Sequence, residues 1–168
     1  MEAGTTFINH RKEFGMNKLI RTLMLAMLAV GFTGAACAQD RATIDQAKAM
    51  VKKARAYMQK VGAEKAYAEI SNPKGQFVDR EIYIYVYDKS LNNLAHGGNQ
   101  KLIGKNLADL RDTDGVYLNK GLLEVAQKGG GTFKFKFLNP ATKTIEVKTG
   151  YAEMEGDVMV GSGVYAAQ

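Results

Sequence analysis

Few residues in this 168-residue chain could carry chemistry, and their scarcity excludes most reaction classes. Cys37 is the sole cysteine, so neither an internal disulfide framework nor a thiolate zinc cluster can form. Two histidines, His10 and His96, are too few for a multi-histidine metal site. Gly161-Ser162-Gly163 lacks the G-x-S-x-G spacing of a nucleophile elbow, and His96-Gly97-Gly98 has the look of an oxyanion loop with no nucleophile motif to serve. Asp112-Thr113-Asp114-Gly115 is too short for an EF-hand and reads as an Asp-Gly turn. No Gly-Lys-Ser/Thr follows Gly129-Gly130-Gly131, so it is not a Walker loop. The expectation is a protein without catalytic residues, cofactor or metal.

What remains is recognition chemistry. Lys148 stands inside a predicted strand, where a lysine either lies on the wet face or is turned inward for a reason. Tyr151 follows three residues later, on the opposite face by strand parity, unless Gly150 is a β-bulge that restores both to one side. Spacing leaves two readings open: a solvated lysine and a core tyrosine, or a cation and a hydroxyl at one site. His96 closes a predicted strand and is either a hydrogen-bonded structural residue or a donor, through a ring N–H or a cationic form at mildly acidic pH. Tyr85 and Phe137 lie on aromatic strands and are candidate walls, Tyr85 adding a hydroxyl; an aromatic stripe serves equally as plain core.

These residues need elements to position them. Ile44, Ala47, Val51, Ala54, Met58 and Val61 recur at spacings of three and four, predicting a helix over 43–61, with Thr43 and Gln46 as a capping box and Gly62 as its stop. A shorter helix is expected over 63–70. The period then changes to two. Glu81 to Tyr87 alternates Ile82, Ile84 and Val86 against Tyr83, Tyr85 and Tyr87, the pattern of a central strand covered on both faces. A second strand is expected over 91–96, a turn-rich connector with a helix over 116–127, and three more strands over 131–138, 144–154 and 158–165. The class is α+β: a five-stranded antiparallel sheet, its last three strands a meander, with the long helix on one face and the connector roofing the other.

The N-terminal region reads differently. Lys18 and Arg21 precede the apolar run Leu23 to Val30, and Ala36-Cys37-Ala38 offers a cleavage site before Gln39. Residues 16–38 are therefore expected to be a signal peptide, 1–15 a start-site extension ahead of Met16, and 39–168 a single exported domain, periplasmic or secreted. Cys37 offers a second reading, a lipoprotein, although the bulky aliphatic residue usual at −3 is missing. Overall composition is ordinary for a globular protein, 46% hydrophobic and 24% charged, with a net charge of +6. The lysines are spread as on a solvated surface, without a polybasic block or an RNA-binding aromatic signature, so nucleic acid is not an expected partner.

Six segments in this order resemble the single Cache domain type 2, a PAS-like extracytoplasmic sensor domain. They are Tyr83-Ile84-Tyr85-Val86-Tyr87-Asp88; Leu94-Ala95-His96-Gly97 with Leu102-Ile103-Gly104-Lys105-Asn106; Asp112-Thr113-Asp114-Gly115; Gly131 through Asn139-Pro140; Lys148 with Tyr151; and Gly161-Ser162-Gly163-Val164-Tyr165. The chain departs from the pattern at Thr132, Phe135 and Phe137, where the family often has Trp or Tyr. The resemblance implies reversible binding of a small organic carboxylate of the acetate, propionate or pyruvate class between sheet and connector. Lys148, Tyr151, His96, Tyr85 and Phe137 become the ligand-binding set, and Lys148→Ala is expected to abolish binding while the fold survives. It further implies a membrane receptor or kinase as partner and pairing of two copies through the N-terminal helix. The alternative is a Cache module that binds no ligand and serves for dimerisation or docking on a membrane signalling protein.

Overall fold

The computed structural model describes residues 41–166, so the signal-peptide, start-site and Cys37 readings fall outside the described residues. Helix α1, Ile44–Val61, begins at the expected cap. The Thr43 side chain accepts from the Gln46 N–H, and Gln46 reaches back to the Thr43 N–H. Ala47, Val51, Ala54 and Met58 form its buried stripe. Gly62 breaks the helix with a positive φ of 83°, which a β-carbon would disfavour, and α2, Ala63–Ile70, follows at once.

The strands are β1 Val78–Asp79, β2 Ile82–Tyr83, β3 Tyr85–Asp88, β4 Asn93–His96, β5 Gly131–Leu138, β6 Ile145–Glu155 and β7 Val158–Tyr165, and helix α3, Leu118–Gln127, precedes β5. Strands β3 to β7 make the five-stranded antiparallel sheet in the order β4-β3-β7-β6-β5. The last three strands are the expected meander. The hairpin β3–β4 docks against β7, so the first strands of the sheet lie beside the last. The single strand expected over 81–87 is divided at Ile84. Its N–H turns to the Phe77 carbonyl at 3.1 Å and its carbonyl accepts from Gly97 at 2.9 Å, so the chain changes partners there and β1–β2 forms a separate two-stranded ribbon.

Two cores result, one on each face. Val51, Ala54 and Met58 of α1 pack with Ile84, Val86, Ala95 and Val160. On the other face Tyr83, Tyr85, Tyr87, Phe135, Ala152 and Met159 pack under Leu118, Leu122 and Ala126 of α3. The sheet is thus covered on both sides, as the aromatic and β-branched alternation requires. Ion pairs tie the first helix to β6: Arg55 bonds Glu153 and, at 2.9 Å, Glu155. Arg41, ahead of the helix, bonds Glu146 at 2.7 Å and donates to the Ala166 carbonyl at 2.9 Å.

Candidate functional site

A small cavity lies between the sheet and the connector, lined by Tyr83, Tyr85, Tyr87, His96, Leu110, Leu118, Asn119, Leu122, Phe135, Phe137 and Lys148. Four of the five residues singled out in the sequence meet there. Lys148 is the most unusual, a lysine only 1% exposed in the middle of β6. Its route inward depends on glycine. Gly163 lies on the neighbouring strand, and a β-carbon there would come within 2.9 Å of the Lys148 Cε. Without that β-carbon the aliphatic stem crosses β7 and brings Nζ to the Tyr83 hydroxyl at 2.9 Å. Nζ stands 4.1 Å from the Tyr83 ring centre, 4.9 Å from Tyr165 and 5.8 Å from both Tyr85 and Phe137. The ammonium is therefore held in a cage of aromatic faces.

None of these partners carries a negative charge. Burial pushes the Tyr83 hydroxyl up to about 12, although Lys148 pulls in the other direction, and burial likewise pushes Tyr165 up to about 12. The Tyr85 hydroxyl is raised further by its complete burial. No carboxylate pairs with Lys148 among the described residues. Burying a charge without a counter-ion costs several kcal/mol. Aromatic faces and one neutral hydroxyl return part of that, and an anion would return more.

His96 is 3% exposed and its Nδ1 accepts from the backbone N–H of Gly98 at 3.2 Å and of Asn99 at 2.9 Å. The ring proton is thereby placed on Nε2, which takes no hydrogen-bond partner among the described residues while the ring lines the cavity. The expected cationic form at mildly acidic pH is corrected. Burial and, secondarily, the nearby Lys148 hold the imidazole pKa down to about 3. His96 offers a neutral N–H donor.

Tyr85 is a wall, as expected, but its hydroxyl is committed to the Ser162 carbonyl at 3.0 Å. Gly161 makes room for its ring, since a β-carbon there would lie 2.2 Å from the Tyr85 Cε2. Phe137 and Phe135 close the strand-β5 side.

Tyr151 is the residue the structure takes out of the set. Strand β6 pairs without a register break with β5 over 145–152 and with β7 over 148–155, so Gly150 is not a bulge and parity holds. Tyr151 packs with the α1-side core, its ring under Lys48 and its hydroxyl bonded to Glu153. Gly150 has another reason to be glycine. A β-carbon there would meet Leu122 Cδ2 at 2.8 Å and Phe135 Cε1 at 3.0 Å, so it lets α3 and β5 close over the cavity floor. A register shift does occur, at Leu94 in β4, where Ala95 pairs with Val86 and Asn93 with Tyr87.

Tyr83, Tyr87, Leu122 and Asn119 line the cavity without having been marked as site residues. For the two tyrosines the signal was present, since they share parity with Tyr85. Asn119 carries none, because its role follows from how α3 lies across the sheet. The D-x-D-G turn is structural. Asp112 accepts from the N–H groups of Asp114 and Val116, both at 2.9 Å, and from the Lys136 N–H on the edge of β5 at 2.9 Å.

Comparison with known proteins places the site in context. The sequence model described as single Cache domain 2 matches residues 34–168. The sensor histidine kinase MctS of Rhizobium johnstonii is 34% identical over 88 residues, which are 51% of this chain and 19% of that protein. The methyl-accepting chemotaxis protein CtpM of Pseudomonas aeruginosa is 31% identical over 88 residues, 51% of this chain and 16% of that protein. The aligned stretch thus spans less than a fifth of either curated relative. Among solved structures, a methyl-accepting chemotaxis protein from Vibrio parahaemolyticus superposes with a TM-score of 0.64 at 24% identity, covering 89% of this chain and 97% of that one. A structure titled for carboxylic acid recognition by a Cache chemosensory domain superposes with a TM-score of 0.57 at 20% identity, with the same coverage. The shared feature of these structures is the fold.

Proposed function

The chain belongs to the single Cache domain 2 family, and from that premise we propose that it is an extracytoplasmic sensor domain binding a small organic carboxylate of the acetate, propionate or pyruvate class. The observation that carries this reading is Lys148, a buried lysine at a cavity wall with no counter-ion among the described residues. A carboxylate at Nζ would supply the missing charge, and the His96 Nε2–H is a second donor for it. Tyr85, Phe135, Phe137 and Leu122 would exclude water and strengthen that interaction. The space between sheet and connector is small, which favours a ligand of few carbons over a larger one.

The partner would be a membrane receptor or sensor kinase, since the curated relatives are a sensor histidine kinase and a chemotaxis protein. Export would follow cleavage after Ala38, and pairing of copies would use α1. The test is thermal unfolding of the purified protein against a panel of C2 to C6 carboxylates, amino acids and amines. A ligand at 100 times its dissociation constant should stabilise by about 2.7 kcal/mol. A shift with one or more monocarboxylates and none with amines supports the reading. A flat panel overturns it in favour of a module that binds no ligand.

A further inference from the structure

Helix α3 carries Gly121 inside its ten residues, although glycine in a helix weakens it relative to alanine. The sheet beneath supplies the reason. A β-carbon on Gly121 would overlap the ring of Phe133 on β5. One residue along, Leu122 comes down over Gly150 of β6, where a β-carbon would stand 2.8 Å from its Cδ2. One turn beyond Gly121, Val125 meets Gly131 at the start of β5, where a β-carbon would stand 3.1 Å from the Val125 Cβ. A glycine on the helix and two on the strands thus let α3 lie closer to β5 and β6 than β-carbons at these positions would allow.

That close seat shapes the cavity. Leu122 is 1% exposed and lines it. A β-carbon at Gly150 would also crowd Phe135 Cε1 at 3.0 Å and the Tyr85 hydroxyl at 3.3 Å, both on residues of the cavity wall. Leu122, Phe135 and Tyr85 therefore converge on one spot of the sheet, two residues along β6 from Lys148, and close the cavity there. Phe133 lies outside the cavity lining and stacks on Phe135 with ring centres 6.3 Å apart. Gly121 thus governs how low Leu122 sits without itself facing the cavity.

We propose that Leu122 is the stop that sets the chain length of the bound acid, and that Gly121 is the positioning residue that holds the stop down. This rests on the carboxylate reading of Lys148, which fixes the charged end of the ligand and leaves its alkyl end to run against Leu122. One methylene in an apolar pocket is worth roughly tenfold or more in affinity. The test is titration calorimetry of the purified protein with acetate, propionate, butyrate and valerate, each variant first shown to unfold cooperatively. In the wild type the best acid should be one of the shorter three, with at least a tenfold loss for the next longer one. Leu122→Ala should move the optimum to a longer acid, and Leu122→Val serves if the alanine variant does not fold. Gly121→Ala should move it the same way, and adding Phe133→Leu should return it toward the wild-type order. A glycine needed only for packing would lower the unfolding midpoint and leave the optimum where it was. The absence of a length preference in the wild type, or an optimum unmoved by shortening Leu122, overturns the stop and leaves the carboxylate reading intact. An optimum that moves with Leu122 but not with Gly121→Ala overturns the positioning role. Failure of all four acids to bind the wild type overturns the carboxylate reading and the stop with it.

Discussion

Replacing Lys148 with methionine isolates what the buried charge does. Methionine matches the lysine stem in length and flexibility, so packing across Gly163 is retained while the ammonium is lost. Keeping an ion out of water costs several kcal/mol even after relaxation. Against that cost stand two close aromatic faces, at 4.1 and 4.9 Å, each contributing about 1–2 kcal/mol when desolvated. The 2.9 Å bond to the Tyr83 hydroxyl adds roughly 1.5–3 kcal/mol. The two rings at 5.8 Å lie at the limit of the interaction and add little. Cost and return nearly cancel, so the variant without ligand should lie within about 2 kcal/mol of the wild type. The Tyr83 hydroxyl, left without Nζ, keeps its access to the cavity and to a water there.

The liganded state has no such balance. A carboxylate entering the variant would be desolvated against apolar walls with one neutral N–H to meet it, and its stabilising effect should vanish. The assay is urea and thermal unfolding of both proteins with and without the acid that shifts the wild type. Two results refute the reasoning. A loss of more than about 3 kcal/mol in the ligand-free variant would mean that the lysine is a structural strut whose aromatic cage outweighs its desolvation. An undiminished ligand shift in the variant would mean that the anion is held elsewhere.

His96 gives a pH prediction. Its folded pKa of about 3 lies below the unfolded value of 6.5, so the unfolded chain binds the extra proton and stability must fall as the pH drops from 6.5 toward 3. The slope approaches about 1.4 kcal/mol per pH unit below pH 6. Urea midpoints at pH 7, 6 and 5.5 should show it, and in His96→Gln it should be absent; staying at or above pH 5.5 avoids Glu146, whose carboxyl Arg41 and Thr142 hold down at about 2. Gly161→Ala should cost about 2–3 kcal/mol, because its β-carbon would overlap the Tyr85 ring. It should also weaken ligand binding by driving that ring into the cavity, and wild-type stability and affinity would count against the packing argument.

How much of this was legible in the sequence depends on how far the cause of each feature lies along the chain. Helix α1 is local. Its apolar spacing and its Thr43–Gln46 box are written within a few residues of one another, and its observed bounds differ from the expected ones only in treating Thr43 as the cap. Strands β5 and β7 match their expected limits because alternation and flanking turns are equally local. The division at Ile84 was hidden because it depends on Phe77, which accepts from the Ile84 N–H, and on Gly97, which donates to the Ile84 carbonyl.

The site separates in the same way. Tyr85 and Phe137 declare themselves by strand parity, and Tyr83 and Tyr87 could have been added on the same ground. Lys148 cannot declare its direction, because the space for its stem is made by Gly163 on another strand. The error at Gly150 has the same origin. Read locally, a glycine inside a strand suggests a bulge, whereas here it admits Leu122 and Phe135 from two other elements. The true register shift falls at Leu94, which has no glycine to announce it. That shift places Asn93 directly across from Tyr87. The cation at the cavity wall was thus visible only as a single suspicious lysine. The opposite wall, Leu118, Asn119 and Leu122, arises only when α3 is laid across the sheet.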